Sequence, residues 1–130
     1  MFNTEISINP LKKAVVSLEK ALFQNKDEFL RDAVIQRFEY TFELSWKLLK
    51  RYLGLYSNVT SLNIKDIFRE AGKQGLIGNV EHWFEFLEAR NLTSHTYNEF
   101  TAENTYDTAL QFLPEVKVLT EKLEQKLNAN

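Results

Sequence analysis

The chain has 130 residues, of which 44% are hydrophobic and 26% charged, and a formal net charge of −2. That length fits a single domain over residues 1–130, large enough to bury a core without covalent staples. The absence of cysteine excludes disulfides and thiolate metal sites and suits a reducing cytoplasm, while the acidic balance offers no bulk attraction for nucleic acid.

The opening MFNTEISINP shows no basic patch followed by an apolar run, so no secretory leader is expected. No apolar stretch approaches the ~20 residues that a membrane span needs. Only 4 glycines and 2 prolines punctuate the chain, and most segments repeat near 3.6 residues. A first helix is expected from Pro10, with Asn9 as its cap and Leu11, Val15, Leu18 and Leu22 inward. The polar QNKDE closes it.

A long second helix is predicted over 28–53, with Leu30, Val34, Phe38, Phe42, Ser45, Leu49 and Tyr52 on one stripe. Ile35, Trp46 and Leu53 widen that stripe, and Gly54 followed by SNVTS should end it. A short helix follows over 64–74, with Ile64, Ile67, Phe68 and Ala71 inward, and GKQGLIGN breaks it. The fourth helix is predicted from Val80 to Arg90 or slightly beyond, with Val80, Trp83, Phe84 and Leu87 inward. The last covers 101–127, with a kink or restart at Pro114 and a solvated tail of alternating charge. The expectation is an all-α fold, an up-and-down four-helix bundle with an additional short helix.

Most motif-like features have a structural explanation. Gly72-Lys73-Gln74-Gly75 has the spacing of an RNA-binding GXXG loop, but no flanking strands, so these glycines should cap and turn a helix. No phosphate-binding G-x-x-x-x-G-K-[ST] loop occurs. Glu39 and Glu43 share a helix face without the Glu-x-x-His of a carboxylate metal site, and Lys47 stands four residues on. A polar network, on the surface or between helices, accounts for them. His82, beside Glu81, has no ligand-spaced companion and is expected on the surface.

RNLTSHTY, residues 90–97, is harder to explain by packing. Arg90 follows Trp83 by seven residues and Leu87 by three, which places a cation on the buried stripe. Arg90 and His95 would stand about 140° apart on a straight helix, so they converge only if the helix loosens or two subunits contribute. Asn91, Thr93 and Ser94 favour such loosening because their side chains bond to nearby backbone. Converged, an imidazole can take the 2′-hydroxyl proton of RNA while a guanidinium forks onto the phosphate. The structural alternative is a helix C-terminus where Arg90 and His95 face the negative end of the dipole. Tyr97, two residues after His95, would share its side in an extended segment.

QRFEYTFELSWKLLKRYL (36–53), IFREAGKQGLIGNVEHWFEFLEARNLTSHTY (67–97) and the helix order together resemble the nucleotidyltransferase substrate-binding family, within the HEPN group of small helical proteins. The resemblance spans nearly the whole chain, and RNLTSHTY is its most specific part. It implies a dimeric helical bundle encoded beside a minimal nucleotidyltransferase (MNT), its partner. It further implies an endoribonuclease that needs no metal or other cofactor, with Arg90 and His95 as the R-x4–6-H pair. In related toxin–antitoxin systems of the R-x4-H-x-Y type the MNT transfers AMP to the tyrosine, here Tyr97. Asn91 and Thr93 would support the loop. The alternative is a non-catalytic subunit that binds substrate or nucleotide for the transferase. One Arg90–His95 pair offers little positive field, so a homodimer with both pairs lining one cleft is expected.

Overall fold

The computed structural model describes residues 6–58 and 62–129. The leader reading of the first ten residues falls partly outside this span, as does the end of SNVTS. Five α-helices and one 3-10 turn make up the described residues, and no strand occurs among them. They are α1 (Asn9–Leu22), α2 (Glu28–Tyr56), α3 (Ile64–Lys73), α4 (Val80–Asn91) and α5 (Glu99–Ala129), with the 3-10 turn at Thr93–His95. No helix is long and apolar enough to cross a membrane.

Helix α2 is the hub and packs against each of the other four; α1 lies against α2 and α5, and α4 against α3 and α5. The stripe read along α2 is largely the observed one: Val34, Phe38, Phe42, Ser45, Leu49, Tyr52 and Leu53 are buried. Phe38 and Phe42 meet Phe68 of α3, Trp83 and Phe86 of α4, and Phe112 of α5 in one aromatic cluster, with ring centroids 5.1–6.3 Å apart. Rings this close add edge-to-face attraction to the burial of their area. Four helices converge on this cluster, which fixes the roll of α4 and hence the direction of Arg90.

The helix starts follow side-chain capping. Asp27, Asn63 and Asn79 accept hydrogen bonds from the backbone N–H of Leu30, Asp66 and His82, at 2.7, 2.8 and 3.2 Å. Helix α1 differs from expectation. Its cap is Ile8, without a side-chain bond, and Asn9 is already helical. The Asn9 N–H donates instead to Ser7 Oγ at 3.3 Å, so the chain enters one residue earlier than the Asn-Pro pair suggests.

Gly75, at φ 75°, ends α3 by accepting the left-handed conformation. The Leu76 N–H reaches the Ala71 carbonyl at 2.9 Å and the Gly75 N–H reaches Gly72 at 3.1 Å, the paired bonds of a Schellman ending. Gly72 serves packing, since a Cβ there would stand 2.5 Å from Val80 Cγ2.

Three further expectations are corrected. Helix α2 runs through Gly54 to Tyr56, where the rings of Tyr52 and Tyr56 lie 5.1 Å apart. Of the kink or restart expected at Pro114, the restart does not occur, since α5 runs through it as one helix. Pro114 lies on the exposed side near exposed Leu110, whose unpaired carbonyl can turn to water. In α4 Phe86 is fully buried, whereas Phe84, read as inward, is only partly buried against the core. Helix α4 carries apolar rings on more than one side, so its pattern alone does not choose between them.

Candidate functional site

The site is built where α4 ends. Trp83, Phe86 and Leu87 are buried, so Arg90 emerges on the same face toward α2. Its guanidinium lies over the Phe42 ring, 5.5 Å from the centroid, and Nη1 forms a close ion pair with Glu43. The side chain is 21% exposed, and Nε has no hydrogen-bond partner. Glu43 also accepts from Trp46 Nε1 at 3.2 Å, with Lys47 Nζ at 3.8 Å. The polar network expected around Glu39 and Glu43 is present, and its function is to hold the RNLTSHTY segment.

The helix then loosens as its small polar residues suggest. The Leu92 N–H donates to Ala89 O at 3.0 Å and the His95 N–H to Leu92 O at 2.9 Å, both three-residue bonds. Thr93 Oγ1 lies 2.8 Å from Arg90 O and 2.9 Å from Glu39 Oε2; its single proton serves one acceptor at a time. Thr96 Oγ1 donates to Thr93 O at 3.1 Å. Asn98 starts α5 by accepting from the Thr101 N–H at 3.1 Å. Asn91, the last residue of α4, is exposed.

This turn presents His95 and Tyr97 to solvent, with Tyr97 84% exposed. His95 Nδ1 and the Tyr97 hydroxyl are 3.5 Å apart, and their rings meet edge-on at 6.0 Å. The two are neighbours, but not through extended chain. Residues 93–97 coil through the 3-10 turn and the turn after it, because α4 and α5 are joined by only seven residues. Within one chain Arg90 bonds to Glu43 and His95 to Tyr97; no bond joins Arg90 to His95.

A second arginine anchors the far side of the loop. Arg31, on the buried stripe of α2, grips Glu99 through Nη1 at 2.7 Å and Nη2 at 3.2 Å, and Glu103 at 3.1 Å. Lys26 adds a bond to Glu103 at 2.5 Å. The bond from Arg31 holds the Glu99 carboxyl below its usual range; for Glu103 the bond from Lys26 leads and that from Arg31 follows. Those same bonds, to Glu99 first, raise the Arg31 guanidinium above its ordinary value. This cluster fixes the first turn of α5 and therefore the exit of the Tyr97 loop. The sequence held one clue, since Arg31 precedes Val34 by three residues and Phe38 by seven, the register that singles out Arg90.

His82 is on the surface as expected, with Nδ1 2.9 Å from Glu115. No group of three His, Cys, Asp or Glu side chains with metal-binding proximity occurs among the described residues. The chemistry available at the corner is therefore a half-buried guanidinium, an exposed imidazole and an exposed phenol.

Residues 6–125 match the family described as "Nucleotidyltransferase substrate binding protein like". The chain belongs to that family. A relative from Haemophilus influenzae, named "Probable ribonuclease HepT", is 34% identical over 97% of this chain and 97% of its own length. A solved Haemophilus influenzae structure is described as revealing the fold of a substrate binding domain of a nucleotidyltransferase. It superimposes with TM-score 0.83 at 34% identity, over 91% of this chain and 99% of that one. A solved structure from Thermus thermophilus gives TM-score 0.73 at 33% identity, over 90% and 98%. The match takes in all five helices except the last turn of α5.

Proposed function

We propose that this member of the nucleotidyltransferase substrate-binding family is a HEPN-type partner of a minimal nucleotidyltransferase. It acts in the cytoplasm as a single-domain, toxin-like endoribonuclease that needs no metal and is neutralised by AMP transfer to Tyr97. The observation that carries the reading is the exposed His95–Tyr97 pair on a loosened helix end, beside a guanidinium positioned by Glu43. The relative named "Probable ribonuclease HepT" supports it.

In this reading the RNA 2′-hydroxyl attacks phosphorus and yields its proton to His95 acting as base. The bond from phosphorus to the 5′-oxygen breaks, and that oxygen takes up a proton as it leaves. The products are a 2′,3′-cyclic phosphate and a 5′-hydroxyl. Arg90 stabilises the charge that builds on the phosphate oxygens. Asn91 and Thr93 support the loop.

A homodimer would bring two Arg90–His95 pairs to one cleft and so supply the positive field that a single pair lacks. Light scattering should give twice the chain mass at micromolar concentration; a monomer there would leave the site unassembled. For silencing, the Tyr97 oxygen attacks the α-phosphorus of ATP and pyrophosphate departs. The added bulk and negative charge then stand at the mouth of the cleft.

Two measurements test the scheme. Cleavage of RNA by the purified chain should persist in chelator and disappear in His95→Ala. Co-expression with the cognate transferase should add whole AMP units to the wild type and none to Tyr97→Phe. Addition at another tyrosine would remove Tyr97 from the mechanism. Tyr106 is a poor substitute, because it is 7% exposed and lies beneath Lys26 Nζ.

The Arg90–Glu43 pair favours one second reading. An arginine already neutralised by a carboxylate suits a non-catalytic subunit that binds substrate or nucleotide for the transferase. Expression of this chain alone separates the two, since only a ribonuclease should arrest growth, and only through His95.

A further inference from the structure

The corner described above has an unassigned neighbour. Between α3 and α4 lies a groove of about 520 Å³. Lys65 and Arg69 line it from one side, Arg90 and Asn91 from the other, with Leu87 as floor and Asn63 at one end. Three cations line this groove and no carboxylate does, in a chain whose net charge is −2. Arg90 thus belongs to two features at once, the ion pair with Glu43 and this positive groove.

The cations are held in place. Lys65 Nζ and the Arg69 guanidinium both lie on the Phe84 ring, 5.3 and 5.1 Å from its centroid. Arg69 is also paired with Asp66 at 2.8 Å, whereas Lys65 has no carboxylate partner among the described residues. Lys73 continues the series, so α3 carries cations at positions 65, 69 and 73, a stripe about 12 Å long. Like charges four residues apart disfavour a helix. Asp66 offsets Arg69, but Lys65 keeps its charge open to the groove, where a bound polyanion would complement it.

We infer that this groove is a phosphate-binding subsite for single-stranded RNA, holding the backbone that flanks the phosphate at Arg90. The inference rests on the reading of Arg90 and His95 as an RNA-cleaving pair. Cations spaced by helical turns along an open trough suit the repeating phosphates of a strand. A compact triphosphate would be cradled instead by a glycine-rich loop of backbone N–H groups, which this chain lacks. The Asn63 carbonyl oxygen is engaged in capping α3, which leaves its amide N–H groups to donate to ribose or phosphate oxygens.

The test measures binding apart from cleavage. Fluorescence anisotropy would follow a fluorescein-labelled oligouridylate on the His95→Ala protein, with and without Lys65→Ala/Arg69→Ala. The double change should weaken binding about tenfold or more at low salt. It should also make the log–log salt dependence shallower by roughly 1.4, since each lost cation releases fewer counterions. Lys122→Ala/Lys126→Ala, at the far end of α5, should change neither. Circular dichroism checks folding, and Lys65→Gln/Arg69→Gln replaces the alanine pair if that melts early. Unchanged affinity and salt slope in a folded variant overturn the inference, as does binding of ATP in place of the oligonucleotide.

Failure of the groove and failure of the catalytic reading look different. If the wild type cuts no RNA while oligouridylate binding still depends on Lys65 and Arg69, the subsite stands and the catalytic assignment falls. If the wild type cuts RNA and the double variant keeps the same KM, the assignment stands and the subsite falls. Support for both is a KM raised about tenfold with kcat within about twofold.

Discussion

Arg31 and Arg90 occupy equivalent registers on their helices, each on a buried stripe and each facing carboxylates of a neighbouring helix, yet their surroundings differ. Arg31 is saturated: Nη1, Nη2 and Nε all have carboxylate partners, in Glu99, Glu103 and Asp32. Arg90 has one carboxylate, an aromatic floor and an unsatisfied Nε, and it borders an open groove. Burial does not explain the contrast, since Arg31 is the more buried of the two at 7% side-chain exposure against 21%. The lesson is that a fully bonded arginine fastens structure, while one left partly bonded beside open space is available to a ligand. Arg31 fastens the loop from the α5 side, and Arg90 serves it from the α4 side.

The largest effect that should separate the two is catalytic. Arg90→Ala and His95→Ala should each lower RNA cleavage by about 10²–10⁴-fold, the usual scale for a lost acid–base or electrostatic contribution. Their melting temperatures should stay within a few degrees of the wild type. A parallel loss of folded protein would make Arg90 a fastener like Arg31.

Phe42 tests the floor beneath Arg90. Its ring is fully buried and contacts Phe68, Trp83 and Phe112, so Phe42→Ala should cost about 3–5 kcal/mol of stability in urea unfolding. A cost under about 1 kcal/mol would mean that the aromatic cluster does not set the roll of α4.

Arg31→Met keeps much of the side-chain length and removes the charge. Amide hydrogen exchange should quicken through residues 92–103, and the melting temperature should fall modestly because Glu99 and Glu103 are solvated without it. Cleavage should weaken through looser positioning of the loop, by less than for Arg90→Ala. An unchanged exchange pattern would show that α5 needs no clamp.

The smallest effect is acid sensitivity. Glu99 and Glu103 titrate below their ordinary value of 4.5 in the folded state. Their contribution is complete above that ordinary value and is lost as pH falls through the lowered one. The exchange protection of residues 92–103 should therefore weaken below about pH 4.5 before the bundle itself unfolds. In Arg31→Met that acid step should be largely absent.

The helical architecture was legible because α2 presents a continuous apolar stripe near a 3.6-residue period, although the one cap read from the sequence, Asn9, is already helical, and the side-chain caps Asp27, Asn63 and Asn79 came only with the structure. The loosened end of α4 was legible for a related reason, in that Asn91, Thr93 and Ser94 compete with the helix for backbone bonds. What escaped the sequence depended on distant partners. The register of Arg31 on the α2 stripe hints at its burial, but its partners Glu99 and Glu103 lie 68 and 72 residues away, beyond any local pattern. Pro114 is tolerated because its side of α5 faces water, a fact of packing. Phe86 takes the deeper position because the Phe84 ring, at the edge of the core, is covered by Lys65 and Arg69 of α3. Tyr97 does neighbour His95, although the geometry is a coil set by the short span between two helices.

Apart from the bond of Thr93 to Glu39, the loop between α4 and α5 is joined by bonds in which a residue donates to the third before it, and its exposed rings anchor nothing in the core. Such a segment opens and closes without drawing on the global stability of the bundle. Under the proposed scheme, a nucleotide added to Tyr97 would change what the protein does while leaving how long it survives untouched. Cellular proteases, which sample unfolded chains, would clear the active and silenced forms at the same rate. The balance between them would then be set by the transferase and by whatever removes the nucleotide, with no contribution from turnover.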